Sequence, residues 1–280
     1  MTAERPLADR VAVVTGGVSG IGFAIAEALA AAGADVAVGS LLAASGEQAH
    51  RHQSIHLPTD DELGRARESL LRHGTRIEAA GLDLRCDEAC DRFLALVEER
   101  LGATDILVNA AGTDAKHPMA GFPDELWHRT IDTNLTGPYR MTKRCLPGMI
   151  GRRWGRIVNI SSTAGIVGAP NHAAYCASKA ALLGLTRCVA LEGAPHGVTC
   201  NAILPGFVDT PMSRRSQELR NMIDGVDKPL AERHAELFAA YPQHRLIAPG
   251  EIGALAAYLC TDEALGITGE ALRVSAGGQW

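Results

Sequence analysis

Between residues 11 and 38 the chain spells a strand, a glycine turn, a helix and a second strand, and that order admits few folds. Val11–Thr15 is a short β-branched apolar run, followed by Thr15-Gly16-Gly17-Val18-Ser19-Gly20-Ile21-Gly22. Residues 23–32 are alanine-rich with apolar residues at helical spacing, Gly33-Ala34 stops the helix, and Val36-Ala37-Val38 opens the next strand. A crossover of this kind joins parallel strands, so the first forty residues predict a βαβ unit and a parallel sheet.

The pattern then repeats. Residues 105–108, 156–160, 198–203 and Ala271–Val274 read as buried strands, and 88–101, 124–150, 174–193 and 250–261 as helices. Near-continuous apolar strands alternating with helices predict an α/β fold: a single-domain, Rossmann-like, doubly wound parallel sheet with helices on both faces. At 280 residues, with 46% hydrophobic and 21% charged residues, one large domain over residues 1–280 is the expectation. Two stretches depart from the repeat. Residues 41–76 form a long polar connection with a helical patch at 60–73, and residues 212–245 read as charged and irregular; long connections in compact domains are often functional.

The glycine turn has a chemical reading because of where it sits. Gly16 can turn sharply, Gly20 lets the backbone approach a pyrophosphate, Gly22 allows close packing, and the following helix N-terminus offers free N–H groups. The spacing G-x-x-x-G-x-G also suits a plain strand–helix turn, so it needs support from elsewhere. At the end of the second strand an acid would select NAD through the ribose hydroxyl, and a base would select NADP. The chain has Ser40 there, between Gly39 and Leu41, which leaves NAD or NADP open. His50, Arg51 or His52 could fold back toward a 2′-phosphate.

Tyr175-Cys176-Ala177-Ser178-Lys179 opens a helical stretch, which puts Tyr175 and Lys179 on one helix face. A free phenol titrates near 10; a neighbouring ammonium favours its ionised form and makes it a usable acid/base. Ser162 lies thirteen residues earlier, past the strand 156–160, at the sheet edge where such folds bind ligands. Singly, each has a plain structural reading: a packed tyrosine, a solvated lysine, a turn-capping serine.

Together they resemble the classical short-chain dehydrogenase/reductase family over nearly the whole chain. Its markers appear in order: Thr15-Gly16-x-x-x-Gly20-x-Gly22, Asp83, Asn109-Ala110-Ala111-Gly112, Asn134, Ser162, Tyr175-x-x-x-Lys179 and Pro205-Gly206. The resemblance implies an NAD(P)-dependent enzyme that interconverts a secondary alcohol and a ketone. In it Ser162 would orient the substrate oxygen and Tyr175 would transfer the proton. Lys179 would lower the phenol pKa and bind the nicotinamide ribose, and Asn134 would hold a water linking Lys179 to solvent. It further implies cofactor contacts from Thr15, Gly16, Ser19, Gly20, Ile21, Gly22, Ser40, Asp83 at adenine, Leu84, Asn109, Ala110, Gly112, Ile160, Tyr175, Lys179, Pro205, Gly206, Val208 and Thr210. Ser40 in place of an acid, Ala110 where a second Asn is common, and the long connection after the second strand depart from the pattern.

The remaining expectations follow from charge and composition. A net charge of -5 and the lack of a long basic block argue against a nucleic-acid partner, with Arg152-Arg153 and Arg214-Arg215 read as solvated pairs. Seven cysteines without a Cys-x-x-Cys element fit reduced thiols in a cytoplasmic protein, and no apolar run suggests a membrane partner. His50, His52 and His56 have metal-like spacing, but solvated histidines are the expectation and no metal is assigned. Residues 212–245 fall where the family carries a substrate lid, and Arg214, Arg215, Arg220 and Lys228 there suggest either an anionic substrate or a solvated helix pair. The family also implies a homo-oligomer, a tetramer or dimer formed through helices 124–150 and 174–193, with Leu182, Leu183 and Leu185 serving either the interface or the core. The terminal Gly277-Gly278-Gln279-Trp280 could reach a neighbouring subunit. A cofactor sensor without turnover is the rival function; a nucleotide-sugar epimerase would need a longer C-terminal region than the chain has after Pro205.

Overall fold

The structure, a computed structural model, describes residues 5–46 and 52–278. Its strands are β1 (Val11–Thr15), β2 (Asp35–Ser40), β3 (Gln53–Ser54), β4 (Ile77–Gly81), β5 (Ile106–Asn109), β6 (Asp114–Ala115), β7 (Gly155–Ile160), β8 (Val198–Pro205) and β9 (Ala271–Val274). The helices are α1 (Gly20–Ala31), α2 (Asp60–Leu71), α3 (Asp87–Arg100), α4 (Asp124–Ile131), α5 (Gly137–Arg152), α6 (Ala173–Gly193), α7 (Pro211–Asp224), α8 (Leu230–Ala240) and α9 (Pro249–Leu259). Seven strands form one parallel sheet in the order β4-β2-β1-β5-β7-β8-β9, as the βαβ opening predicts.

The chain reverses direction across the sheet between β1 and β5, whose registers bring Thr15 beside Asn109. A crevice outside the carboxyl ends of the strands opens at such a reversal. One face of the sheet is sealed by α1, α2 and α9 through Ile25, Leu29, Leu70, Ile252 and Leu259. The other is sealed by α3, α5 and α6 through Phe93, Val97, Met141, Met149 and Val189. Each fully buried aliphatic contributes roughly 1.5–3 kcal/mol, so the two layers hold the strand ends rigidly under the crevice.

Helix α6 is long and apolar enough to cross a membrane by length and composition. Its apolar side has another use here: Leu182 and Leu183 are buried and Leu185 packs against the second core, so all three serve this chain's own interior.

Three readings of the sequence need correcting. The strand β4 went unread, since Ile-Glu-Ala-Ala-Gly has one β-branched residue and forms a half-exposed edge strand beside β2. Residues 212–245 are not irregular: they contain α7 and α8, and α7 begins with a capping box in which Thr210 Oγ1 accepts from the Ser213 N–H at 3.1 Å. The helix expected over 124–150 is interrupted by a π-helical turn at Asp132–Thr136, which turns Asn134 inward.

The long connection is structured as well. After the segment outside the described residues, which includes His50 and Arg51, β3 pairs antiparallel with β6, matching Gln53 to Ala115 and Ser54 to Asp114. The helix α2 then returns the chain to the edge strand, capped by Thr59 and Glu62. Gln279 and Trp280 also lie outside the described residues.

Candidate active site

A cavity of about 640 Å³ lies along the carboxyl ends of β1, β2, β5, β7 and β8, within the range of small-molecule sites. Its floor at one end is the glycine turn. Gly16 has φ +68°, and a Cβ there would sit 2.7 Å from the Ala111 backbone, so only glycine fits the approach of the two turns. At Gly22 an added Cβ would fall 2.2 Å from the Gly16 carbonyl oxygen. Ser19 makes no side-chain cap bond and the first turn of α1 carries no acid, leaving its N–H groups and positive dipole end to the cavity. These are the properties of a pyrophosphate cradle, and the residues present fit a dinucleotide.

Gly16, Ser19, Gly20, Ile21, Gly22, Ser40, Asp83, Leu84, Ala110, Gly112, Ile160, Tyr175, Lys179, Pro205, Gly206, Val208 and Thr210 all line this one cavity. Thr15 and Asn109 do not line it. Thr15 Oγ1 accepts from the Ala110 and Ala111 N–H groups at 3.2 Å each, and Asn109 Nδ2 donates to Asn159 Oδ1 at 2.8 Å. Both side chains hold the lining turn from behind, because the inward pleat of β1 and β5 buries them.

At the other end, Ser162 follows β7 and caps a short turn, its Oγ accepting from the Ala164 N–H at 3.1 Å. Tyr175 and Lys179 stand one turn apart on α6, and Lys179 Nζ donates to the Ile160 carbonyl at 2.8 Å. Asn134 is fully buried; its Nδ2 donates to the Thr113 carbonyl at 2.8 Å and to Ser178 Oγ at 3.1 Å, and its Oδ1 accepts from the Thr113 N–H at 2.8 Å. A Cβ on Gly112 would lie 3.4 Å from Asn134 Oδ1 and 3.5 Å from Lys179 Nζ, which shows how close those two groups come. The four residues singled out as catalytic in the sequence therefore converge.

Their electrostatics differ from the simple expectation. Burial raises the Tyr175 phenol well above its ordinary range, the Asp114 carboxylate raises it further, and the hydrogen bond with Ser162 lowers it only in part. Burial brings Lys179 down to about 8. Nζ lies 5.8 Å from the Tyr175 ring centroid and donates to the Ile160 carbonyl.

The short chain dehydrogenase family matches residues 10–221. The chain belongs to this family. It is 35% identical to D-beta-hydroxybutyrate dehydrogenase of Cupriavidus necator over 263 residues, 94% of this chain and 95% of that protein. It is 38% identical to a putative ketoacyl reductase of Streptomyces coelicolor over 271 residues, covering 96% and 97% of the two chains. Among solved structures it superposes with TM-score 0.86 on a variant of actinorhodin polyketide ketoreductase with NADPH, at 35% identity over 97% of this chain and 98% of that one. This short-chain dehydrogenase is thus an oxidoreductase that uses a nicotinamide dinucleotide to interconvert an alcohol and a ketone.

Several lining residues carried no sequence signal: Gln53, Ile55 and Pro58 enter the wall from the long connection, and Asp114, Lys116 and His172 surround the Tyr175 end; His56, noted in the sequence only for its spacing, lines it too. His52 stacks edge-on to the His117 ring at 5.0 Å, and His56, which lines the cavity, meets Glu62 at 3.1 Å. The cations of 212–245 are paired with acids: Arg214 with Asp209 at 3.0 Å, Arg215 with Glu218 at 2.8 Å, Arg220 with Asp224 at 3.6 Å, and Lys228 with Glu236. The stretch holds the helices α7 and α8, and of these four cations Arg220 also lines the cavity.

Proposed function

We propose that the enzyme reduces a 3-oxo carbonyl compound to the 3-hydroxy product, with Tyr175 as the proton donor. The observation that supports Tyr175 as the donor is its hydroxyl, raised by burial and by Asp114 and lowered only in part by Ser162, which holds its proton at neutral pH; the same groups serve the reverse reaction. The substrate class rests on the ketoacyl reductase and hydroxybutyrate dehydrogenase among its relatives.

A nicotinamide dinucleotide held in this cavity would supply the hydride for the carbonyl carbon. Ser162 holds the carbonyl oxygen, and Tyr175 delivers a proton to it as negative charge grows there. Lys179 would hold the nicotinamide ribose and return a proton to the tyrosine. Asn134 fixes the neighbouring Thr113 backbone and keeps one lone pair of Oδ1 for a relaying water. Ser40 offers a hydroxyl to the adenosine ribose without repelling a 2′-phosphate, and Arg85 beside it is already paired with Asp83 at 2.7 Å. The enzyme accepts both NADH and NADPH on this reading.

Seven free cysteines support a cytoplasmic setting, and the exposed Tyr139 on α5 and Leu191 on α6 support pairing of those helices in a homo-oligomer, which mass measurement in solution tests. The deciding experiment for function follows absorbance of NADH and NADPH separately with 3-oxoacyl compounds, sugars, polyols, steroids and cyclic ketones. Preferred turnover of the 3-oxo compounds supports the assignment; preference for another class would replace it.

A further inference from the structure

The Tyr175 end of the cavity holds a second, unassigned charge. Asp114 sits on β6, two residues past Gly112, and only 6% of it is exposed. Its Oδ2 accepts from Ser216 Oγ at 3.1 Å and lies 3.6 Å from His172 Nε2, while its Oδ1 has no hydrogen-bond partner among the described residues. The carboxyl group stays below its ordinary range: burial pushes it up, and the contacts with His172, Lys116 and Ser216 outweigh this. It is an ionised, incompletely satisfied carboxylate that lines the substrate end of the cavity.

His172 and Lys116 act on the carboxylate itself, yet at the Tyr175 hydroxyl it is Asp114 and no cation that is felt. The arginines that line the cavity are each paired with an acid: Arg85 with Asp83 at 2.7 Å, Arg129 with Glu125 at 3.9 Å and Arg220 with Asp224 at 3.6 Å. Lys116, also buried, is turned toward α7, where Nζ donates to the Ser216 carbonyl at 2.6 Å. Of the carboxylates around the pocket, Asp114 is the one whose field reaches the Tyr175 hydroxyl. A substrate carboxylate two bonds from the ketone would enter the same field, and like charges in a dry site repel strongly.

We infer that Asp114 is a specificity-determining residue: it admits 3-oxo substrates that are uncharged beyond the ketone, such as amides, esters or thioesters, and rejects the free 3-oxo acid. This rests on the 3-oxo reading above and narrows it. It also separates this enzyme from its relative named for hydroxybutyrate, a free acid.

Acetoacetate and acetoacetamide are matched in size and differ in charge, which makes them the probes. Each is titrated calorimetrically into the enzyme bound to its oxidised cofactor, where the ketone binds without reacting, and the ratio of the two dissociation constants is read. The expected ratio favours the amide by about tenfold or more, equivalent to about 1.4 kcal/mol. Asp114→Asn keeps the shape and the Ser216 contact but removes the charge, and it should cut that ratio at least about fivefold. Asp114→Thr serves as a second variant, and because each ratio is taken within one protein a general loss of affinity cancels. Equal or tighter binding of acetoacetate by the wild type, or a ratio unmoved in both variants, overturns the inference while leaving the 3-oxo reading in place. Binding of neither ketone overturns both.

Discussion

Lys179 on α6 donates from Nζ to the carbonyl of Ile160 across 2.8 Å, and so pins the helix of Tyr175 to the last residue of β7. The bond is made by a buried ammonium whose pKa is brought down by burial to about 8. A folded-state value below the unfolded value of about 10.4 means that the unfolded chain binds more protons between those limits. The charge therefore costs stability below about pH 8, and the cost fades as pH rises toward about 10.4. Lys179→Met should raise the stability of the cofactor-free protein by about 1–3 kcal/mol at pH 7 and by little at pH 10.5, the lost Ile160 bond trimming the gain. Denaturant unfolding at the two pH values measures this; a gain that grew with pH would contradict it.

Tyr175 lines the cavity together with Ser162 and Asp114, both of which act on its hydroxyl. Tyr175→Phe removes the donor and little volume. Turnover should fall by about 10²–10⁴, the usual worth of a positioned acid/base group. Cofactor affinity, read by fluorescence of bound NADPH, should change less than about threefold, because the glycine turn and the α1 N-terminus are untouched. Near-normal turnover would remove Tyr175 from the chemistry.

Ser40 is buried at the end of β2, where its own carbonyl accepts from the Leu82 N–H at 2.8 Å, so the backbone there is fixed whatever the side chain. Ser40→Asp would present a carboxylate to the ribose edge. It should lower kcat/KM with NADPH at least about tenfold relative to NADH through repulsion of the 2′-phosphate. An unchanged cofactor ratio would place the ribose elsewhere.

The parts that were legible in the sequence are those that a short run of residues determines alone. Val11–Thr15, the glycine turn and α1 read correctly because an apolar run, a breaker and a helical period follow one another without tertiary help. That Tyr175 and Lys179 share a helix face was legible because four residues on a helix return to the same side. The rest depends on contacts between distant segments. Ile77–Gly81 is a strand only because β2 offers it an edge, and Asp114 belongs to the site only because β6 turns back past Gly112. Thr15 and Asn109 stand in the right motifs, yet the strand pleat puts them behind the lining, which spacing alone does not reveal.

The inserted strand β3 shows that dependence in a form that can be tested. Gln53 is 2% exposed and donates from Nε2 to Thr113 Oγ1 at 2.8 Å, while Thr113 Oγ1 lies 3.3 Å from the Ser54 carbonyl to which it donates. The backbone of the same threonine brackets Asn134. Gln53→Leu keeps most of the volume and leaves the Thr113 hydroxyl without its donor, a loss of about 1–3 kcal/mol for a buried polar group. The thermal midpoint should drop by about 2–8 °C at this chain length. Because the same contact supports Asn134, turnover should fall further than the share of unfolded protein explains, and Gln53→Glu should not restore it, since a carboxylate has no N–H to give. Full stability and turnover in Gln53→Leu would make the insertion a passive cover.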